Sequence, residues 1–240
     1  MVVSKLFYGT WELDGILKNI SYDESLKLLK YAKEKGINKF DTAIAYGNGN
    51  VEKMLSKVIT KDDIVLTKIP AIEKPSVDAV DIQKYYPVGY VFQKVEESLK
   101  NLDRDYIDIV LLHNWSVNWI TDITPIIELL NLKRKGIIKQ IGISLPNNFV
   151  KRLDDKVLDL IDYIEAPYNN ENQWILQDLD YYKQYGTEII IRSLFMQGRL
   201  VKNNKKIVPE RIKEVKSLGT YIVIGMTSKE QIDENIKLIS

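Results

Sequence analysis

Strand-like and helix-like segments alternate strictly along this 240-residue chain, and the alternation predicts an α/β protein folded as a single (β/α)8 TIM barrel. Three observations carry the prediction. Eight apolar, strand-like runs are each followed by a helical pattern, and the chain length leaves about 30 residues per unit, the size of one βα step. Lys-Glu-Lys-Gly36, Lys-Arg-Lys-Gly136, Lys-Gln-Tyr-Gly186 and Lys-Ser-Leu-Gly219 each close a helix just before a strand, with glycine supplying the left-handed residue. No Gly-x-Gly-x-x-Gly follows the first strand, which argues against an open dinucleotide-binding sheet. Nothing in the chain reads as a linker, so residues 1–240 form one expected domain.

Taken in order, Leu6 to Trp11 reads as the first strand. Ser21 and Glu24 form a capping box, opening a helix that carries Leu26, Leu29 and Ala32. A strand over 39–43 leads through Gly47-Asn48-Gly49-Asn50 to a helix over 50–60, with Val51, Met54, Leu55 and Val58 on one face. Ile64 to Lys68 is the third strand. After Pro70 comes a polar loop of about eighteen residues, long enough to suggest a functional loop or lid. A helix from about 88 to 101 turns Phe92, Val95 and Leu99 inward. Ile107 to Leu112 is nearly all apolar, as a parallel strand covered on both faces requires, and it ends at His113.

The second half repeats the rhythm. Thr124-Pro125 opens a helix, with proline expected at its first helical position. Strands over 137–144, 162–166, 188–191 and 221–224 alternate with helices near 147–153, 174–185 and from Pro209. Ser228 and Gln231 cap the last helix.

Composition narrows the chemistry. The absence of Cys excludes disulfides and thiolate catalysis, and a single His excludes a multi-histidine metal site, so no metal is expected. A net charge of +1 and the lack of any basic run give no basis for nucleic-acid binding. No stretch reaches membrane-span length, so the expectation is a soluble cytoplasmic protein, a monomer or small homo-oligomer.

In a barrel the strand C-terminal ends gather at one mouth, where active sites sit. Asp41 ends the second strand, and Tyr46 lies just past it. Lys68 and His113 end the third and fourth. A lysine closing an apolar run is costly without a carboxylate partner, and Asp41 is the natural one. The ammonium is expected to lower the Tyr46 pKa, making the phenol a proton donor near neutral pH. His113 can orient a carbonyl oxygen. Trp11 and Trp115, with Trp119, follow the first and fourth strands and suggest an apolar substrate wall.

Phe-Asp-Thr-Ala-x-x-Tyr-Gly-x-Gly followed by Glu52, then Leu-Thr-Lys68, Ser-Leu-Lys-x-Leu-x-x-Asp-Tyr-Ile-Asp and Leu-Leu-His113, resembles the aldo-keto reductase superfamily. Gly136-Ile-Ile-Lys-x-Ile-Gly-Ile-Ser144, Pro167-Tyr168-Asn169, Gln197-Gly198-x-Leu200 and Gln231-x-x-Glu234-Asn235 extend the resemblance in order along nearly the whole chain. It implies a (β/α)8 barrel that reduces an aldehyde or ketone, or oxidises an alcohol, with NADP or NAD. The implied catalytic tetrad is Asp41, Tyr46, Lys68 and His113, with Tyr46 as general acid. The implied cofactor residues are Ser144, Glu165, Arg192, Ser193, Gly225, Met226, Thr227, Gln231 and Asn235.

The departures from the family pattern lie in that second set. Ser144-Leu145 stands where Ser-Asn is common, Glu165 replaces a glutamine, and Arg192 stands, as in some branches of the family, where an aromatic often stacks. Gly225, Met226 and Gln231 occupy places that often hold Lys, Ser and Arg for the 2′-phosphate of NADPH. The expectation is a reduced preference for NADPH over NADH, with the start of the last helix, Lys229 and Arg199 as remaining phosphate partners. The sequence ends with the eighth helix, which predicts an open substrate pocket. The alternative reading is a catalytically weak cofactor-binding sensor or regulatory subunit on the same fold.

Overall fold

The computed structural model describes residues 5–14, 20–147, 149, 151–202 and 206–239. Its elements alternate as β1 (Leu6–Gly9), α1 (Tyr22–Glu34), β2 (Lys39–Asp41), α2 (Asn50–Leu55), β3 (Ile64–Ile69), α3 (Tyr90–Leu102), β4 (Ile107–Leu112) and α4 (Thr124–Arg134). There follow β5 (Ile138–Ser144), α5 (Asp155–Leu158), β6 (Tyr163–Pro167), α6 (Ile175–Gln184), β7 (Glu188–Arg192), α7 (Arg199–Lys202), α8 (Ile207–Ser217), β8 (Tyr221–Gly225) and α9 (Lys229–Ile239). All neighbouring strands are parallel, and β8 pairs back onto β1. The result is a closed barrel of strands in sequence order, as the alternation predicts.

Strand side chains alternate between two cores. Phe7, Leu66, Ile109, Leu111, Tyr163 and Ile190 fill the barrel interior. Their neighbours Leu6, Tyr8, Val65, Val110, Ile164, Ile189 and Ile191 face the surrounding helices. Gly142 takes part in the inner layer by having no side chain: a Cβ there would lie 2.1 Å from the Tyr163 carbonyl oxygen and 2.9 Å from Leu111. The period of two then places Lys68 above Leu66, His113 above Leu111, Ser144 above Gly142, Glu165 above Tyr163 and Arg192 above Ile190. An apolar plug thus carries a polar layer at the strand C-terminal ends.

Several boundaries differ from the sequence expectation. Strand β1 stops at Gly9, and Trp11 sits in a 3-10 turn over Trp11–Asp14. Among the described residues there are nine α-helices, because the four-residue α7 follows β7. No helix covers the described part of 147–153; residues 148 and 150 lie outside the described set, and α5 begins at Asp155. Phe92 is exposed, because the buried stripe of α3 runs Val91, Val95, Ser98 and Leu102, one residue out of phase with it. The capping box at Ser21 and Glu24 forms as expected, and proline sits in the first turn of α4.

The long loop after β3 is docked rather than lid-like. The Ser116 hydroxyl donates to the Val77 and Ala79 carbonyls at 3.0 and 2.6 Å. Buried Tyr86 donates to the Ile69 carbonyl at 3.2 Å and packs edge-on against Trp119.

The tight β5–β6 approach gives a stability prediction. Gly142→Ala forces a Cβ against backbone, so unfolding free energy should fall by about 1–3 kcal/mol. Denaturant titration would read this as a lower midpoint at an unchanged slope. An unchanged midpoint would show that the two strands do not approach this closely in solution.

Candidate active site

The site grows out of the polar layer. Lys68 is 1% exposed, and its ammonium donates to Asp41 Oδ2 at 2.5 Å, to the Thr42 carbonyl at 3.2 Å and to Tyr46 Oη at 3.5 Å. Three donors thus meet three acceptors. Tyr46 lies beyond β2 because Gly47, Asn48 and Gly49 all take positive φ, which turns the chain sharply toward α2. A buried network holds that turn. Glu52 accepts from the Thr67 hydroxyl at 2.6 Å and from the Asn101 amide at 2.9 Å, and Gly49 leaves no room for a Cβ beside the same amide. The His113 ring meets the Tyr46 ring edge-on, with centroids 6.1 Å apart. Tyr46 and His113 remain partly exposed.

A second carboxylate joins this group. Glu165 is 1% exposed, and its Oε1 stands 3.4 Å from the Lys68 ammonium without a hydrogen-bond partner. Its Oε2 accepts a short hydrogen bond from the Ser144 hydroxyl and lies 3.6 Å from Arg192 Nε. Arg192 is fixed in turn by the Leu145 carbonyl at 2.8 Å and Asn147 at 3.2 Å. Sequence reasoning placed Glu165 among cofactor contacts and did not link it to Lys68. The signal was present: Glu165 is two residues beyond Tyr163, on the inward face of a strand end.

The titration states follow from burial and these charges. Burial outweighs Lys68 at Tyr46, and with Asp41 and Glu165 nearby it pushes the phenol up to about 12. The expected lowering by Lys68 is therefore reversed, because one ammonium is shared with two carboxylates in a desolvated site. Burial raises Asp41 with help from Glu165, against the pull of Lys68. At Glu165 burial acts upward too, but Lys68 and Arg192 together hold that carboxyl below its usual range. Burial, then Lys68 and Arg192, push His113 down to about 3. Lys68 stays charged: its carboxylate partners overcome the cost of burial and raise it.

A cleft of about 680 Å³ opens above this layer. Asp41, Tyr46, Glu165 and Arg192 line it together with Trp11, Ser193, Phe195 and Gly225. Ser193, Met196 and Gln197, in the loop over it, all have positive φ, a strained state often found where a loop is shaped for a ligand. A neighbouring lobe shares Glu12, Phe195, Gly198 and Gly225 and extends to Gln231, Glu234 and Asn235 on α9. Met226 is buried, and its carbonyl accepts from the Tyr8 hydroxyl. The Thr227 N–H donates to Gln231 Oε1 at 2.7 Å. Trp115 does not reach the cleft. It is 2% exposed and packs edge-on against Trp119, anchoring the loop after β4 instead of walling a substrate.

A (β/α)8 barrel with titratable groups gathered at the C-terminal ends of its strands has the layout of a barrel enzyme. The chain belongs to the aldo/keto reductase family, whose sequence model matches residues 5–218, and so sits among oxidoreductases. The aldo-keto reductase YhdN of Bacillus subtilis is 27% identical over 176 residues, covering 69% of this chain and 50% of that protein. L-galactose dehydrogenase of Arabidopsis thaliana is 25% identical, with 99% of this chain and 85% of that protein covered. An aldo/keto reductase of Klebsiella pneumoniae, solved with NADP and acetate, shares the fold at a TM-score of 0.73 and 17% identity, over 98% of this chain and 85% of that one. Among the described residues no cluster could hold a metal ion, and no helix is long and apolar enough to cross a membrane.

The chain has one imidazole, so its state can be read without assignment. His113 should remain neutral from pH 5 to pH 8, giving unchanged neutral-tautomer shifts in a long-range nitrogen–proton NMR spectrum, since its pKa is pushed down to about 3. A titration midpoint near the ordinary value of about 6.5 would place the ring in solvent, away from Lys68 and Arg192.

Proposed function

We propose that the protein is an NAD(P)H-dependent reductase of a small aldehyde or ketone, also able to oxidise the matching alcohol, with Tyr46 as general acid. The observation that carries this reading is the Lys68 ammonium, which joins Asp41 to Tyr46 at the barrel mouth with His113 alongside.

The residues present fit a nicotinamide cofactor. Buried Glu165 Oε1, which makes no hydrogen bond at the cleft floor, is an acceptor for a carboxamide N–H. Asn235 Oδ1 is likewise buried and unpartnered, in the lobe that continues toward α9. Arg192 offers a planar guanidinium at the cleft wall. Ser144 acts through Glu165, while Ser193 and Gly225 line the main cleft. When bound, the reduced cofactor supplies hydride to the carbonyl carbon. Tyr46 Oη gives its proton to the carbonyl oxygen, and Lys68, held by Asp41, stabilises the phenolate left behind. Neutral His113 donates an N–H to the same oxygen and orients it. With its pKa pushed up to about 12, Tyr46 is fully protonated at neutral pH, which favours the acid role.

Tyr46→Phe removes the proton donor and leaves the cleft walls in place. Carbonyl reduction should fall by about 10²–10⁴, while cofactor binding, followed by tryptophan fluorescence, stays within a few-fold. Unchanged turnover would remove Tyr46 from the acid role. Cofactor binding by the wild-type chain without turnover of any aldehyde in a broad panel would favour the sensor reading.

Cofactor choice follows from the second lobe. Its lining includes Glu12 and Glu234 but no Lys or Arg among the described residues. Lys229 lies over the Tyr31 ring at 4.8 Å, and Arg199 approaches Glu171 at 3.7 Å. Gln231 occupies the Thr227 N–H at the start of α9. A 2′-phosphate would find little positive charge there, so the dissociation constants for NADPH and NADH should agree within about tenfold. A thousandfold advantage for NADPH, about 4 kcal/mol, would reveal a basic partner not yet identified.

A further inference from the structure

Glu165 puts a carboxylate where the barrel floor meets the cleft. Four charged groups face each other there: Asp41 and Glu165 against Lys68 and Arg192. They balance when all are ionised, and Glu12 adds a further carboxylate to the cleft lining. A neutral residue in place of Glu165 would leave the Asp41, Lys68 and Arg192 group with an excess positive charge. Glu165 is also the only one of the four with a buried polar atom that makes no hydrogen bond, Oε1, which has the Lys68 ammonium at 3.4 Å, and it lines the cleft. The Ser144 hydroxyl fixes its other oxygen, so the side chain cannot turn away without losing that bond.

The two redox forms of a nicotinamide differ in charge: the oxidised ring is a cation and the reduced ring is neutral. We propose that Glu165 selects between them, its fixed carboxylate favouring the oxidised cofactor over the reduced one through charge. The proposal rests on the cofactor reading above and extends it to the redox state that this site prefers. Lys68 and Arg192 hold the carboxyl ionised through the neutral range, so the selecting charge is present under working conditions. The low dielectric of the buried site strengthens the effect relative to water. A glutamine could make the same carboxamide contact but would lack the charge.

The test is a set of binding titrations, read by tryptophan fluorescence quenching and calorimetry, with NADP⁺, NADPH, NAD⁺ and NADH on the wild-type chain and on Glu165→Gln. The ratio of the oxidised-form to the reduced-form dissociation constant should rise about tenfold in the variant, the scale of a partly screened charge pair. Nearly all of the change should lie in the oxidised form. Glu165→Asp, which keeps the charge, should restore most of the wild-type ratio. Glu165→Met, uncharged and of similar size, carries the test if Glu165→Gln does not fold. An unchanged ratio in Glu165→Gln, or an equal loss for both forms, overturns the proposal and leaves the cofactor reading standing. Failure of the wild-type chain to bind any of the four would overturn both.

Discussion

The polar layer depends on a single buried ammonium. Lys68 is enclosed on an inward strand position, where an unpaired charge would cost several kcal/mol. Each of its neighbours answers that cost: Asp41 by a direct ion pair, the Thr42 carbonyl by a hydrogen bond, Glu165 by charge at 3.4 Å. Only then is Tyr46 Oη reached, at 3.5 Å. The phenol therefore receives what remains of a charge already claimed by two carboxylates. Burial, and then this sharing of the ammonium with Asp41 and Glu165, push a tyrosine beside a lysine up to about 12 instead of down. In the proposed reaction the ammonium stabilises phenolate after proton transfer more than it prepares it before.

The second carboxylate requires its own support. Asp41 and Glu165 on one ammonium would repel each other, and Arg192 brings the second positive charge that lets Glu165 ionise. Arg192 is held by acceptors at the end of β5, so β5, β6 and β7 are tied together at the mouth by the same contacts that balance the charge. Structure and electrostatics share these bonds. Removing either partner would leave an uncompensated charge in a desolvated layer, which is more damaging than never having had the pair.

The fold was legible because its signals are local and repeated. Four lysine-to-glycine helix ends and eight apolar runs declare a βα rhythm that survives errors of a few residues at any boundary. The gathering of Asp41, Lys68 and His113 was legible for a related reason: each lies at a strand end, and parallel closure brings strand ends together whatever the details. Less was legible where the outcome depends on which face a residue takes. Phe92 lies one position off the buried stripe of α3, and composition alone does not reveal that phase. Trp115 and Trp119 were placed near the mouth, but packing against the loop after β3 turned them inward. The link between Glu165 and Lys68 spans four strands' worth of chain, and only the closed barrel puts them 3.4 Å apart.

Tyr46 lies farthest from a strand end among the four grouped residues, and the structure compensates at a distance. Strand positions inherit their precision from the ladder, whereas a loop has to be held by something else. Here the left-handed Gly47-Asn48-Gly49 turn sets the direction, and buried Glu52 locks α2 to Thr67 on β3 and to Asn101 on α3. Thr67 is the outward neighbour of Lys68. Strand β3 therefore holds Lys68 on its inner face and, through Thr67 and Glu52 on its outer face, the helix that follows Tyr46. Strand β3 thus bears on the placement of both Tyr46 and the ammonium.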